Sequence, residues 1–99
     1  MKNCGKVHRI DITITKSGIS VNPTKVEVDR TLNESVEWIA NDGEEFVVIF
    51  SGRTPFESFH YTNEKPRSSG VVAGANSGHH KYSVAARGML LDPIIWIKP

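Results

Sequence analysis

Histidines are the residues of this chain best suited to hold a metal ion, and His60, His79 and His80 are the set that could do so together. Imidazole suits both Cu(II) and Zn(II). Adjacent strand residues point to opposite faces, so one ion reaches both His79 and His80 only if the loop before Lys81 holds them. Zinc sites usually show three or four ligands at a recognisable spacing, which these residues lack. We therefore predict no metal and no cofactor, and keep a copper- or zinc-handling protein that uses the three histidines as the alternative.

Cys4 is the only cysteine of the chain. A single thiol excludes an intrachain disulfide and any Cys-x-x-Cys redox or zinc motif. Cys4 lies before the first predicted strand, in residues 1–6, which we expect to form a flexible N-terminal arm. Nothing nearby is predicted to lower the pKa of its thiol, so no redox role is predicted for it.

Motifs for catalysis are missing from the sequence. No Gly-x-Ser-x-Gly motif places a serine for nucleophilic attack, and no Gly-x-Gly-x-x-Gly motif offers a phosphate-binding loop. Asp42, Glu44 and Glu45 are carboxylates at an expected turn, whereas catalytic carboxylates usually sit in clefts that perturb their pKa. We predict that this protein is not an enzyme.

Composition limits the partners of the protein. Ninety-nine residues fit one domain, residues 1–99, and a formal net charge of +1 gives no long-range field to attract nucleic acid. No apolar stretch approaches the about 20 residues of a membrane helix, and no apolar leader follows the first residues. We expect a soluble monomer that neither binds nucleic acid nor inserts into a membrane.

Alternating hydrophobicity predicts strands along most of the chain. In VHRIDITIT, residues 7–15, three isoleucines point one way and polar residues the other, which is typical of a half-buried strand. Asn22-Pro23 breaks the next strand and indicates an edge or a crossing between sheets. FVVIF, residues 46–50, is continuously apolar, as expected of a central strand buried on both sides. Further strands are predicted at 35–40, 71–72, 82–85 and 94–97, closing over Trp38, Phe50 and Trp96.

The segment 51–70 is too long for a plain hairpin loop and carries a helix signature. Thr54 suits the N-cap, Pro55 the first helical position, and Glu57 completes a capping box. We predict one short helix over about residues 55–61, with Phe56 and Phe59 turned toward the core. Short strands separated by turn signals, with this one helix, predict an all-β sandwich.

Three stretches in order resemble the cupredoxins. NPTKVEVDRTLNESVEWIAND (22–42) looks like the Pro-containing strand, polar turn and Trp-Asn strand of that family. FVVIF (46–50) is similar to the strand that often begins with the first copper-ligand histidine. KYSV (81–84) is similar to the strand that leads into the ligand loop. The ending LDPIIWIKP (91–99) looks more like the copper-less bacterial cupredoxin-like domains. The resemblance implies a Greek-key β-sandwich of cupredoxin type.

The copper ligands of that family are not matched here. The resemblance places Phe46 where the first histidine would stand and Ala86 near the cysteine position. No histidine follows in residues 87–90, although Met89 matches an axial ligand. A blue-copper site needs a thiolate and two imidazoles, so the resemblance implies a copper-free module, with an unorthodox electron carrier as an alternative. It favours an exported or periplasmic protein, whereas the lack of a leader favours the cytosol.

Without copper, the corresponding end of the sandwich is expected to bind a protein partner. We predict an interaction surface made of Phe46, Ala86, Met89 and Leu90, because lost ligands would leave an apolar patch. The turns at residues 41–45, 74–80 and 86–91 are expected to meet at this end. The segment 51–70 is a second candidate surface, because long loops on a rigid scaffold often carry recognition.

Overall fold

The computed structural model describes residues 6–72 and 74–98. Residues 1–5 of the predicted N-terminal arm, including Cys4, lie outside this part. Lys6, the last residue of the predicted arm, is tied to the fold, because its carbonyl accepts a hydrogen bond from the Ser35 amide. Two three-residue 3₁₀ helices, Arg30–Leu32 and Asn41–Gly43, lie among the strands. The strands are β1 (Val7–Thr15), β2 (Gly18–Asn22), β3 (Lys25–Val28), β4 (Ser35–Ala40), β5 (Val47–Phe50), β6 (His60–Thr62), β7 (Gly78–Ala86), β8 (Met89–Leu91) and β9 (Ile94–Ile97).

The strands form two mixed sheets, which confirms the predicted all-β class. One sheet has the order β2-β1-β4, and the other has the order β3-β9-β7-β5-β6, with β8 also paired to β7. The pairs β1–β4 and β3–β9 are parallel, and the remaining pairs are antiparallel. Asn22-Pro23 carries the chain from the first sheet into the second, and β2 is the edge strand of the first sheet, so both alternatives predicted for this break are observed.

Inward-facing residues of both sheets form one hydrophobic core. The three isoleucines of β1 (Ile10, Ile12 and Ile14) are buried while their neighbours are exposed, as the alternation in the sequence predicts. From the other sheet, Val84 and Ile95 are fully buried. Because strand side chains alternate between faces, each strand gives one face to this core and leaves the other outside.

Aromatic rings occupy the centre of the core. The Trp38 ring stacks on Tyr61 at 5.2 Å, and Phe50 and Tyr82 meet it edge-on at 6.3 and 5.6 Å. Phe56 packs against Phe50 at 5.8 Å. Burial raises the pKa of the Tyr82 hydroxyl to about 12, which the neighbouring Trp38 indole opposes only in part. Both tyrosines are therefore neutral components of the core near neutral pH.

The predicted helix at residues 55–61 is wrong. The Thr54 hydroxyl accepts a hydrogen bond from the Phe56 amide and donates one to the Ser58 carbonyl, which closes a local turn. The Phe50 amide then bonds the Phe59 carbonyl, and the chain continues directly into β6. Phe56 is buried as expected, but Phe59 is 61% exposed. The Glu57 amide, which a capping box would direct to the Thr54 hydroxyl, donates instead to the Ser69 hydroxyl at 2.9 Å, and Thr54 closes a turn, as Ser and Thr side chains often do.

One further predicted strand is absent, and two predicted turns are present. Residues 71–72 form no strand; the Val72 amide bonds the Pro55 carbonyl in an irregular segment. Asp42-Gly43 predicts a hairpin turn, because Asp-Gly tolerates positive φ. Both residues do adopt positive φ, of 51° and 65°, but the strands they join, β4 and β5, belong to different sheets, so the hairpin prediction is wrong. The Arg87-Gly88 turn is confirmed, with φ of 51° and 76°. Its flanking residues Ala86 and Met89 pair across a two-residue hairpin.

The segment after β6 closes one flank of the sandwich. Its Ser68 amide donates to the Val36 carbonyl, and the Trp38 amide donates to the Pro66 carbonyl. The buried Ser68 hydroxyl accepts a hydrogen bond from the Val36 amide at 2.8 Å. These bonds cover the outer edge of β4. On the other flank, β2 pairs with β1 alone among the described strands.

Neither helix in the described ranges has the length and apolar character needed to cross a bilayer.

Candidate interaction surfaces

The predicted surface residues lie together, but two of them face inward. Val47 pairs with Ala85, which brings Phe46 and Ala86 side by side at the ends of β5 and β7, and Met89 pairs with Ala86. Phe46 and Ala86 are 3% and 6% exposed and belong to the core. Met89 is half-buried against that core, whereas Leu90 is 66% exposed. Leu90 alone of the four therefore presents most of its side chain to solvent.

Four apolar residues, two exposed and two half-buried, instead form a row on the outer face of the larger sheet. Leu90, Ala85 and Val47 stand opposite one another on three neighbouring strands, and residues paired in this way share a face. Ile49, two residues beyond Val47 on the same face, is 39% exposed. We call these four residues the outer apolar row.

The outer apolar row was missed because the pattern of residues 46–50 predicted a strand buried on both faces. Observed burial alternates instead: Phe46, Val48 and Phe50 are buried, while Val47 is half-buried and Ile49 is exposed. A continuous apolar run carries no period, so the sequence could not show which residues face outward. Only the pairing with β7 and β8 decides it.

An ion pair stands beside the outer apolar row. Arg87, in the turn between β7 and β8, donates through Nε to Glu44 Oε1 at 3.1 Å and through a second nitrogen to Glu44 Oε2. A two-bond pair of this kind holds a guanidinium in a defined orientation. It ties the β7–β8 turn to the turn after β4. A cavity of about 420 Å³ lies next to it, with Phe46, Ala86 and Glu64 among its lining residues.

The loop at residues 74–80 does not join this end of the molecule, so that part of the prediction is wrong. Gly78 and Ala86 are the two ends of β7, and Gly78 pairs with Ile97 while Ala86 pairs with Met89. Eight strand steps of about 3.3 Å separate them by roughly 26 Å. The long strand β7 separates the two turns that were expected to meet.

The three histidines of the metal alternative lie on two strands. His60 is in β6, opposite Ile49, while His79 and His80 lie in β7 opposite Trp96 and Ile95. His80 Nε2 is 2.8 Å from the Asn76 carbonyl oxygen. Across residues 6–72 and 74–98, no three His, Cys, Asp or Glu side chains are grouped closely enough to hold a metal ion.

Trp96 is not a core residue, contrary to the prediction. It alternates with buried Ile95 and Ile97, so its ring lies half-buried on the outer face of β9. The Lys25 ammonium sits 5.1 Å from the centre of the ring, and the His79 ring lies 6.4 Å away. No local pattern predicted this cluster, because the run IIWI is compatible with Ile95 and Ile97 facing inward or with Ile94 and Trp96 facing inward.

A groove lies next to that cluster, between the free edge of β2 and residues 92–93, which join β8 to β9. We call it the β2–β8 groove. Its volume is about 420 Å³. The lining residues are Ile19, Ser20, Val21, Thr24, Lys25, His79, Leu91, Asp92, Pro93 and Ile94. The sequence did not predict this groove, because its two walls are about 70 residues apart along the chain.

The fold and these surfaces define a small all-β domain built of two mixed sheets around one core. No protein-family model matches the chain, and no curated protein matches it.

Proposed function

We propose that this protein is a cupredoxin-like Greek-key β-sandwich without a type 1 copper site, and that it acts as a non-catalytic binding module. The proposed contact surface is the outer apolar row, which docks against an apolar surface of a protein partner. The single observation that carries the proposal is the alignment of exposed Leu90 with Ala85 and Val47 across three strands.

The copper-free part of the proposal is supported by the residues at the family's ligand positions. Phe46, Ala86 and Met89 stand close together where β5, β7 and β8 end, as the resemblance requires of a ligand set. A phenyl ring and a methyl group have no lone pair to offer a metal. A thioether alone does not make a blue-copper site, which needs a thiolate and two imidazoles.

The binding part is supported by the shape and chemistry of the outer apolar row. Sheet strands hold its residues in fixed positions, so little conformational entropy is lost when a partner covers them. The Arg87–Glu44 pair at its border offers charged groups at a rim, while the centre is apolar. Protein interfaces commonly have this arrangement of an apolar centre and a polar rim.

The experiment compares Leu90→Glu with the matched control Leu32→Glu. Leu32 is also exposed, at 47%, but lies in the 3₁₀ helix before β4. We expect the immobilised parent and the Leu32→Glu variant to capture the same protein from lysate, identified by mass spectrometry. The Leu90→Glu variant should lose it, with the Tm changed by no more than about 2 °C, since exposed substitutions have small effects on stability. Equal capture by both variants would refute the outer apolar row as the contact surface.

A further inference from the structure

We propose that the β2–β8 groove is a binding site for a small amphipathic organic anion, a compound with a compact apolar body and one carboxylate or sulfonate group. This site is separate from the outer apolar row. Leu91 lines the groove, whereas its neighbour Leu90 points to the opposite side of β8. The inference therefore goes beyond the proposed function.

The walls of the groove suit an apolar body. Ile19 and Val21 come from β2, and Leu91, Pro93 and Ile94 come from the β8–β9 segment, so each sheet supplies one wall. Ile19 and Leu91 also pack against the hydrophobic core, which holds them in place. A volume of about 420 Å³ falls within the range of about 300–1,000 Å³ typical of small-molecule sites. One aromatic or short aliphatic group fits such a space.

The positive charge of Lys25 in the groove lining favours an anionic ligand. Lys25 is exposed on β3 and is held near the Trp96 ring at 5.1 Å. Within the described ranges, no carboxylate lies within 4.0 Å of its ammonium group. An anionic group of the ligand would pair with the Lys25 ammonium, which already lies against the apolar ring of Trp96 on one side. His79 stands on the same side and adds a hydrogen-bonding ring nitrogen.

The negative charge of Asp92 fixes the orientation of the ligand in the groove. Asp92 is the carboxylate of the groove lining, and its Oδ1 accepts a hydrogen bond from the Ser83 hydroxyl at 2.8 Å. A bound anion is repelled from Asp92 and attracted to Lys25. The apolar body then lies along Leu91 and Ile94, with the anionic group next to Lys25.

The test uses two dyes that differ in one group: anilinonaphthalene sulfonate, which is an anion, and phenylnaphthylamine, its neutral counterpart. We expect saturable binding of one anilinonaphthalene sulfonate per chain, measured by fluorescence. Methyl NMR signals of Ile19, Leu91 and Ile94 should shift during the titration. A higher salt concentration should weaken the binding of the anionic dye, because salt screens its contact with Lys25. It should leave the binding of the neutral dye unaffected.

Three charge variants make the test specific. Lys25→Met should weaken the binding of the anionic dye by about three- to fivefold, which is the contribution of one exposed ion pair. The affinity for the neutral dye should not change. Asp92→Asn keeps an oxygen that accepts the hydrogen bond from the Ser83 hydroxyl but removes the negative charge. It should therefore strengthen the binding of the anionic dye. Lys65→Met is the control, because Lys65 follows β6 at the opposite edge of the larger sheet from β3. It should change neither dye.

Several results would overturn the proposal. The absence of saturable binding would do so, as would NMR shifts confined to Leu90 or Phe59. Equal affinity of the anionic dye for the parent and for Lys25→Met would also refute it, provided both proteins melt at the same temperature. Since Asp92→Asn is predicted to act in the opposite direction, general loosening of the fold cannot produce the expected pair of results.

Discussion

Trp38 and Trp96 carry the same side chain in opposite environments. Trp38 is fully buried and touches the rings of Tyr61, Tyr82 and Phe50, whereas Trp96 lies half-buried beside Lys25. Each environment follows from strand alternation rather than from the residue type. The contribution of an aromatic residue to stability therefore depends on the face of the strand it occupies.

Alanine at the two tryptophans should separate these environments. We expect Trp38→Ala to lower the free energy of unfolding by about 3–5 kcal/mol, because it leaves a large cavity in the core. Trp96→Ala should lower it by about 1–2 kcal/mol, from the partial burial and the contact with Lys25. Urea unfolding followed by circular dichroism measures both. Similar losses in the two variants would contradict the observed placement of Trp96.

Glu34 links the start of β1 to the turn before β4. Its Oε1 lies 2.7 Å from His8 Nε2 and accepts a hydrogen bond from the Asp29 amide at 2.9 Å. Burial alone would raise the pKa of the Glu34 carboxyl, but these hydrogen bonds outweigh it and lower the pKa below the ordinary value of 4.5. The ionised carboxylate is thus favoured by folding.

The lowered pKa of Glu34 predicts how stability changes with pH. The stabilisation is fully present above about pH 4.5 and is lost as the pH falls through the lower pKa of the folded state. Glu34→Gln should flatten the fall in unfolding free energy below that pH; a residual fall is expected from Asp29, whose pKa the Thr31 hydroxyl lowers. Exposed Glu64→Gln is the control. Urea titrations at several pH values measure the slope, and identical slopes for parent and Glu34→Gln would refute the assignment.

At the scale of elements, the two flanks of the sandwich differ. Residues 66–68 cover the edge of β4 with backbone hydrogen bonds, whereas the free edge of β2 lies next to the β2–β8 groove. Paired edges resist the addition of further strands, and a free edge leaves backbone groups for water or a ligand. The covered flank is therefore structural, and the open flank is where binding of a small organic anion is proposed.

Ser68 is the residue whose loss should weaken the covered flank. Its hydroxyl accepts from the Val36 amide and donates to the Ser69 carbonyl, both at 2.8 Å. Ser68→Ala leaves the buried Val36 amide without that acceptor and should reduce the free energy of unfolding by about 1–3 kcal/mol. Exposed Ser20→Ala is the matched control and should have little effect. Hydrogen exchange of the Val36 amide should also accelerate in Ser68→Ala; unchanged stability and exchange would contradict this role.

At the scale of the whole molecule, the described residues form one hydrophobic core shared by both sheets. Within residues 6–72 and 74–98, neither sheet has a second core that would keep it folded if the shared core were lost. Small domains of this kind usually unfold in a single cooperative transition.

Cooperative unfolding can be tested with the two tryptophans. In Trp96→Phe the fluorescence reports Trp38 alone, at the contact between the sheets, while circular dichroism reports strand content. We expect coincident urea transitions from the two signals, with one midpoint. Separate midpoints would show that one sheet survives without the other and would contradict a single shared core.

The sequence by itself determined the strands with a clear period and the turns with a strong chemical signal. Three alternating isoleucines established β1 and its buried face, and Asn22-Pro23 marked a break at an edge or a crossing between sheets. Asp42-Gly43 marked a turn that tolerates positive φ, and Arg87-Gly88 marked a turn. These features depend on residues close together in the chain, so local physical chemistry is enough to predict them.

Only the tertiary structure decided which faces of the less regular strands are open. An apolar run such as FVVIF is compatible with either face, and pairing with β7 places Val47 and Ile49 outside. Thr54 could cap a helix or close a turn, and the Phe50–Phe59 hydrogen bond selects the turn. The β2–β8 groove joins residues 19–25 to residues 91–94. Strand pairing between distant segments creates these surfaces, and no local pattern encodes it.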